Sequence, residues 1–397
     1  MPPERVAIQA AAGRVLAEAV LSGVTLPPAD CSAMDGYAVR AADLEGASAQ
    51  SPRELEVRFE VAAGAAPAGA IGPGEAARIF TGAPLPPGAD AVVRQEETSR
   101  EGARVRVRVA AAAGEDVRPA GEDIRAGDCV FAAGTRVGAA QIGVLASLGR
   151  SQVAVHQRPR VAILSGGDEL VEIDGDRAGG RIVSSNSYSL AAQCREVGAE
   201  PVYLGIARDT PEELEAVLRR GLRCDVLLSS AGVSVGDRDY VRPVLEKLGC
   251  PLEFWGVEIR PGHPLVFGRF GETGPLVFGL PGNPVSAMVT FEQFVRPVLL
   301  RQLGSTRLFR PTLEVRLAAP LRKKAGRMHF ERVVLERRDG AVLARSTGTQ
   351  SSGALRSMTL AQGLLIFPAE ATELRAGDTA TVQVIDESFL ASGEPGY

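Results

Sequence analysis

The apolar positions of this chain follow four successive rhythms. From Val6 to Val20 they recur at helical spacing, which predicts an opening helix running into a Pro-containing turn near Pro28. From there to about Asp128 the pattern alternates as strands do. Leu55, Val57, Phe59 and Val61 fall on one face, and Val105, Val107 and Val109 on another, opposite Arg104, Arg106 and Arg108. Such an arginine row is a solvated strand face before it is an anion site.

From about Gln157 to Leu303 the rhythm changes to strand, small polar loop and helix, repeated. Strands are predicted at Val161 to Leu164, Pro201 to Leu204, Val226 to Leu228 and Val277 to Leu280. Helices are predicted from Asn186 onward, after Thr210-Pro211-Glu212-Glu213 with its N-cap and capping-box residues, over Val241 to Leu248, and from Pro284 to Leu303. Strands alternating with helices predict a parallel sheet covered on both faces. After Pro311 the alternation returns without helices, at Leu313, Val315, Leu317, at Leu364 to Phe367 and at Ala380, Val382, Val384, which predicts a small all-β domain.

A chain of 397 residues is too long for one ordinary core. Its net charge of −4 and 5% aromatic content, with Trp255 the single tryptophan, argue against nucleic acid and acidic membranes as partners. The five cysteines include no C-x-x-C pair, which speaks against a disulfide framework and a zinc site. With only three histidines, a bound metal would rest on oxygen ligands, which points to magnesium. The N-terminus lacks the basic and apolar regions of a signal peptide, and Pro281, Asn283 and Pro284 break the longest apolar stretch, so a cytoplasmic chain is expected.

Ligands of an open parallel sheet bind in the loops beyond the strands' carboxyl ends. Three such loops here are polar and Gly-rich: Ser165-Gly166-Gly167-Asp168-Glu169, Ser229-Ser230-Ala231-Gly232-Val233-Ser234-Val235-Gly236-Asp237, and Pro281-Gly282-Asn283-Pro284-Val285-Ser286. Glycines admit backbone N–H groups to a phosphate, serines add donors, and a helix start adds a favourable dipole. Asp168, Glu169, Asp237 and Asp239 would repel that phosphate unless a divalent cation lay between them. The combination points to phosphate plus magnesium; one loop alone would read as a tight turn with solvated acids. Nearby, Arg260-Pro261-Gly262-His263-Pro264 presents two cations on a stiff backbone suited to an oxyanion. Arg327, Arg356 and Ser352 would complete the pocket, although each taken singly is an ordinary surface residue. The turns Ser32 to Tyr37, Thr81 to Pro84 and Gly121 to Ile124 are compact and polar, with no evident partner in their own region.

Seven motifs carry a resemblance. They are S-A-M-D-G-Y-A from Ser32, T-G-A-P from Thr81, G-E-D-I from Gly121, G-D-E-L from Gly167, G-V-S-V-G-D-R-D-Y from Gly232, G-L-P-G-N-P-V-S from Gly279 and G-R-M-H-F-E-R from Gly326. In this order and over nearly the whole chain, they resemble the MoeA family of molybdopterin molybdenumtransferases, whose relatives include the gephyrin E domain. The resemblance implies a multidomain α/β plus β fold in four parts. Residues 1–28 and 129–156 would form a linker and dimerisation domain, 29–128 an inserted β-rich domain, 157–305 a MogA-like α/β/α molybdopterin-binding domain with a parallel-rich sheet, and 306–397 a small β-barrel.

The implied reaction takes adenylylated molybdopterin and molybdate, releases AMP with magnesium present, and leaves molybdenum on the dithiolene. Carried over, Asp168, Glu169, Asp35, Thr81 and Asp123 would be catalytic, with Glu169, Asp237 and Asp239 on the metal. Ser165, Gly167, Asn186, Ser229, Gly232, Ser234, Gly236 and Pro281 to Pro284 would bind the pterin substrate. Arg260, His263, Pro264, Ser286, Arg327 and Ser352 would line the molybdate pocket. The partners implied are a second copy of the chain, whose Asp35 region reaches the cleft, and transiently the adenylyltransferase and acceptor molybdoenzymes. Against the family pattern, Gly166 stands for a usual threonine, Ser184 for an acid, Ala231 for a glycine and His263 for a lysine. An adenylyltransferase would share only the α/β region, so the length counts against it; a gephyrin-like scaffold is the other alternative.

Overall fold

The computed structural model describes residues 1–230, 240–338 and 340–391. The chain forms two compact units. One comprises Met1–Ala17, Gly134–Ala139 and Gln152–Tyr397, the other Glu18–Ala133 and Ala140–Ser151.

The second unit is built on a six-stranded sheet of β1 (Gly36–Val39), β2 (Arg53–Val61), β3 (Glu75–Ile79), β4 (Ala91–Arg94), β5 (Thr98–Glu101) and β6 (Arg104–Val107), in the order β4-β1-β3-β2-β6-β5. Tyr37, Val39, Leu55 and Val105 pack on one side, Ala38, Val61, Ile79 and Val92 on the other. The predicted arginine row is a solvated face: Arg104 and Arg106 both pair with Glu54, at 3.5 and 2.7 Å.

In the first unit, the sheet over 157–305 has β7 (Arg160–Gly166), β8 (Glu200–Ala207), β9 (Val226–Ser230), β10 (Leu252–Trp255), β11 (Val266–Arg269) and β12 (Leu276–Leu280), ordered β8-β7-β9-β12-β11-β10. β8, β7, β9 and β12 are parallel, as the alternation predicts, but β11 and β10 continue the sheet antiparallel. Successive side chains of a strand face opposite ways. Val161 and Ile163 therefore meet the layer of α1 (Ser185–Val197), whereas Ala162 and Leu164 meet that of α2 (Pro211–Gly221) and α3 (Val241–Lys247). The Thr210 hydroxyl caps α2 by accepting from Glu213 N–H at 3.4 Å, but Thr210 N–H donates to Arg208 O (2.8 Å), so the reciprocal half of a capping box is not made. From Pro284 a helical run continues to Gln302 through a wider π turn at Phe291–Val295.

The C-terminal strands close on themselves. β13 (Thr312–Leu317), β14 (Met328–Arg338), β15 (Ala341–Ser346), β16 (Gly363–Phe367) and β17 (Thr379–Val384) form a five-stranded barrel sealed by the β14–β16 pairing. Its core includes Val315, Val333, Leu335, Phe367 and Val382.

Two expectations are corrected. No helix spans Val6 to Val20. Pro3–Ala7 is a strand paired antiparallel with Gln152–His156, and Gly13 turns the chain at φ +75°. A partner about 150 residues away takes the backbone donors that a local helix would have used. The C-terminal region is also not free of helix, since Arg356–Leu360 forms a short one. No helix among the described residues is long and apolar enough to cross a membrane.

The two-layer packing gives a direct stability test. Leu228 is fully buried beneath the α1 layer, whereas Leu360 is 47% exposed. Leu228→Ala should cost about 2–5 kcal/mol and Leu360→Ala less than about 0.5 kcal/mol, read from denaturant unfolding by Trp255 fluorescence. Equal midpoints for the two variants would contradict this packing.

Candidate functional site

The carboxyl ends of β7, β9 and β12 open on one cavity of about 920 Å³. Its base is polar and internally satisfied. Ser165 Oγ lies 2.7 Å from Ser187 Oγ and 2.9 Å from Ser230 Oγ, and Ser184 Oγ–H donates to Ser165 at 2.8 Å. Ser184, standing where an acid is usual, thus keeps this base uncharged.

Two helix starts reach the cavity, those of α1 and of the run from Pro284, and first-turn N–H groups have no partner within the helix. Asn186 joins them: its Nδ2–H donates to Gly282 O at 2.7 Å. Among the described residues its buried Oδ1 has no partner. A buried acceptor of that kind calls for a donor from water or ligand. Val285 N–H, one of the orphan donors, is taken by Ser352 O at 3.1 Å, which brings Ser352 beside Ser286.

The opposite wall is cationic. The two-residue strand Ile259–Arg260 pairs in parallel with Met328–His329 of β14, so Arg260, His263 and Arg327 line one wall. Gly262 adopts φ +115°, and a Cβ there would lie 2.5 Å from Thr290 Cγ2, so the turn demands glycine. Arg327 Nε–H donates to Glu258 at 3.2 Å. His263 Nδ1 sits 2.8 Å from Val257 O, an acceptor only, so Nδ1 carries the proton and Nε2 of the neutral ring is an acceptor. Of the acids, only Glu169 lines the cavity among the described residues.

Of the expected residues, the cavity gathers Ser165, Glu169, Asn186, Pro281 to Pro284, Arg260, His263, Pro264, Ser286, Arg327 and Ser352. It does not gather Asp168, Gly167, Ser229 or Arg356. Asp168 Oδ1 accepts from Asp209 N–H at 3.3 Å, at the end of β8. Gly167, at φ +143°, lies under the Glu169 carboxylate, Ser229 is buried, and Arg356 opens the short helix. Ala231, Gly232, Ser234, Gly236, Asp237 and Asp239 lie outside the described residues.

In the other unit the turn at Asp35 does have a partner within its own region, contrary to expectation. Thr81 N–H and Oγ–H both donate to Asp35 Oδ1, at 2.7 and 2.8 Å. These bonds hold the Asp35 carboxyl below the usual aspartate range. Asp123 is exposed, and its N–H donates to Leu26 O at 3.2 Å. The pairing spans 46 residues, which no local pattern marks.

Sequence reasoning missed Gln350 and Gly353, which flank Ser352 in the lining. Gln350 earns its place through β14: its Oε1 accepts from Arg332 N–H and its Nε2 donates to Arg332 O, at 2.9 and 3.0 Å. That pair of hydrogen bonds fixes the Ser352 loop, and the motif around Arg332 was the only signal for it.

Two helix starts and a wall of two guanidinium groups and a histidine facing one carboxylate define a multidomain α/β protein with an oxyanion cradle. Three family profiles match in succession: "MoeA N-terminal region (domain I and II)" over 1–149, "Probable molybdopterin binding domain" over 162–301, and "MoeA C-terminal region (domain IV)" over 314–385. The chain is 40% identical to a molybdopterin molybdenumtransferase of Nostoc sp., over 96% of this chain and 88% of that one. It is 36% identical to molybdopterin molybdenumtransferase 1 of Mycobacterium tuberculosis, over 98% and 95%. A crystal structure of the molybdopterin biosynthesis MoeA protein from Pyrococcus horikoshii superposes with a TM-score of 0.81 at 34% identity, over 96% and 94%. The chain belongs to the MoeA family.

Gly262→Ala should lower stability by about 1–3 kcal/mol through its forced φ and the contact with Thr290. Adding Thr290→Ser, which removes the contacted methyl, should restore part of the loss in thermal unfolding. A Gly262→Ala protein as stable as wild type would refute the tight turn.

Proposed function

We propose that this chain is a molybdopterin molybdenumtransferase, moving molybdenum from molybdate to adenylylated molybdopterin with release of AMP. The carrying observation is the cavity itself. Between the segment matching a molybdopterin-binding profile and the C-terminal segment that supplies Arg327 and Ser352, it sets helix starts for a phosphorylated substrate against a cationic wall for a second oxyanion. The names of the curated relatives supply the reaction class.

The reaction must bring two anions into contact, so their repulsion is the main obstacle. Arg260, Arg327 and protonated His263 hold the molybdate, with Pro264, Ser286 and Ser352 shaping its place. Ser165, Asn186 and the Pro281–Pro284 turn receive the pterin and its phosphates, together with the loop through Gly232, Ser234 and Gly236. The donor set suits magnesium, being all oxygen, with one carboxylate, Glu169, and room for substrate phosphate, as such ions are commonly held. No group of three His, Cys, Asp or Glu side chains able to hold a metal occurs among the described residues, so phosphate and water would complete the sphere. Asp237 and Asp239 are the further candidates. Magnesium, when bound, would polarise the phosphoryl oxygens at the anhydride that AMP leaves. Asp168, bonded to Asp209, braces the same loop.

The division into 1–28 with 129–156, 29–128, 157–305 and 306–397 belongs to this reading, as do a cytoplasmic homodimer and brief contacts with the adenylyltransferase and acceptor enzymes. Asp35, Thr81 and Asp123 would then serve the partner copy's site. Purified protein given both substrates and magnesium should release AMP. Glu169→Gln should slow release on the order of 100-fold or more with unchanged melting. Mixing it with inactive Asp35→Ala should recover activity after subunit exchange. Substrate binding without AMP release would remove the enzymatic reading, and no recovery would remove the shared site.

His263 gives a second test. Its neutral form has its one proton committed to Val257 O, so only the charged ring can donate from Nε2 to an oxyanion. Glu258 lies 4.0 Å from Nδ1, and Arg260 and Arg327 share the same wall. His263→Ala should weaken molybdate binding about tenfold, whereas His263→Lys, which keeps a cationic donor on this wall, should retain it. Wild-type affinity in His263→Ala, from equilibrium dialysis of molybdate, would take His263 out of the anion site.

A further inference from the structure

A second cavity, of about 270 Å³, opens at the mouth of the barrel and shares Arg260, Pro261 and Gln350 with the first. The alternation along β14 that sends Val333 and Leu335 into the barrel core gives His329 and Glu331 the same inward face. Both line this cavity, with His329 Nδ1 3.3 Å from Glu331 Oε1. Polar groups at the end of a closed barrel are costly to bury unless something there answers them.

The charges around this mouth are not balanced. Among the described residues, Arg260, Arg322, Lys323 and Arg332 line it against a single acid, Glu331. Arg322 is answered outside the lining by Glu373, at 2.8 Å. Lys323 Nζ donates to Ala369 O (2.8 Å) and Lys324 O (3.4 Å) and lies 5.0 Å above the Phe367 ring, which leaves a third N–H. Arg260 has no hydrogen bond or ion pair from its guanidinium among the described residues. Arg332 is 1% exposed. Its Nε–H goes to Ser357 Oγ and its Nη2 to Thr349 O and Ser351 O, with no carboxylate at ion-pair distance among the described residues. Burial, opposed by Glu331 but reinforced by Arg260 and Lys323, holds His329 below the usual histidine range, so it adds no charge at neutral pH. Three cations without a full counter-charge in a concave, low-dielectric site concentrate a positive potential.

We propose that the barrel mouth is a second oxyanion site, taking a tetrahedral dianion such as molybdate. Lys323 and Arg260 supply donors, buried Arg332 supplies fixed charge, and Glu331 limits the affinity. Arg260 borders both cavities, so it can release an anion held at the mouth toward the larger one. The site stands on its own geometry and does not require the proposed reaction.

Equilibrium dialysis with molybdate alone, without pterin, tests it on the full chain. Lys323→Gln should bind one molybdate fewer per chain than wild type, while the Ser286-dependent site is retained. Glu331→Gln should bind more tightly at the mouth, on the order of fivefold, a gain that misfolding does not produce. Wild-type stoichiometry in Lys323→Gln, or unchanged or weaker binding in Glu331→Gln, overturns the proposal. A wild-type chain that releases no AMP yet loses one molybdate with Lys323→Gln would reject the enzymatic reading and leave this site standing.

Discussion

Two residue pairs tie the first unit together around its site: Ile259 with Met328 and Arg260 with His329. This short parallel pairing joins a loop of the α/β sheet to the longest strand of the barrel. It turns the Arg260–Pro264 segment across the carboxyl ends of β7, β9 and β12 and carries Arg327 in beside Glu258. Val285 N–H bonded to Ser352 O makes a second tie between the same regions. Without these ties the strand-end loops would still face solvent in the usual place for an open sheet. They would have no cationic wall opposite them.

The charge distribution follows from that geometry. An anionic ligand beside helix starts needs little more than backbone N–H groups. Two anions side by side need compensating cations, and the barrel contributes Arg327 through the same strand that holds His329, Glu331 and Arg332. The neutral serine base lets the cationic wall and Glu169 set the field in the cavity. Placing Arg260 between two concavities makes one side chain part of both environments.

Legibility in the sequence followed the range of the interaction. The continuous apolar runs at Val161–Leu164 and Val226–Leu228 predicted their strands because both faces of that sheet are covered within the same region. The glycine and proline turns at Gly262 and Pro281–Pro284 were readable because backbone geometry is a local property. Antiparallel β10 and β11 were not, since strand direction depends on where the chain returns. Pro3–Ala7 was misread as helical because its partner, Gln152–His156, lies far along the chain.

The site divides in the same way. Residue chemistry alone pointed to Arg260 and His263 for an oxyanion and to Glu169, with Asp168, Asp237 and Asp239, for a metal; the resemblance added Asn186, and the motif order pointed to the family. Tertiary structure decided which acids face the cavity, turning Glu169 toward it and tying Asp168 to Asp209. It also paired Asp35 with Thr81, fixed the His263 tautomer through Val257 O and brought Gln350 into the wall. The sequence determined the elements and the kinds of donor, because propensity and side-chain chemistry travel with the residue. Orientation, pairing and uncompensated charge were decided only in the folded chain, because each depends on distances between residues that the sequence keeps far apart.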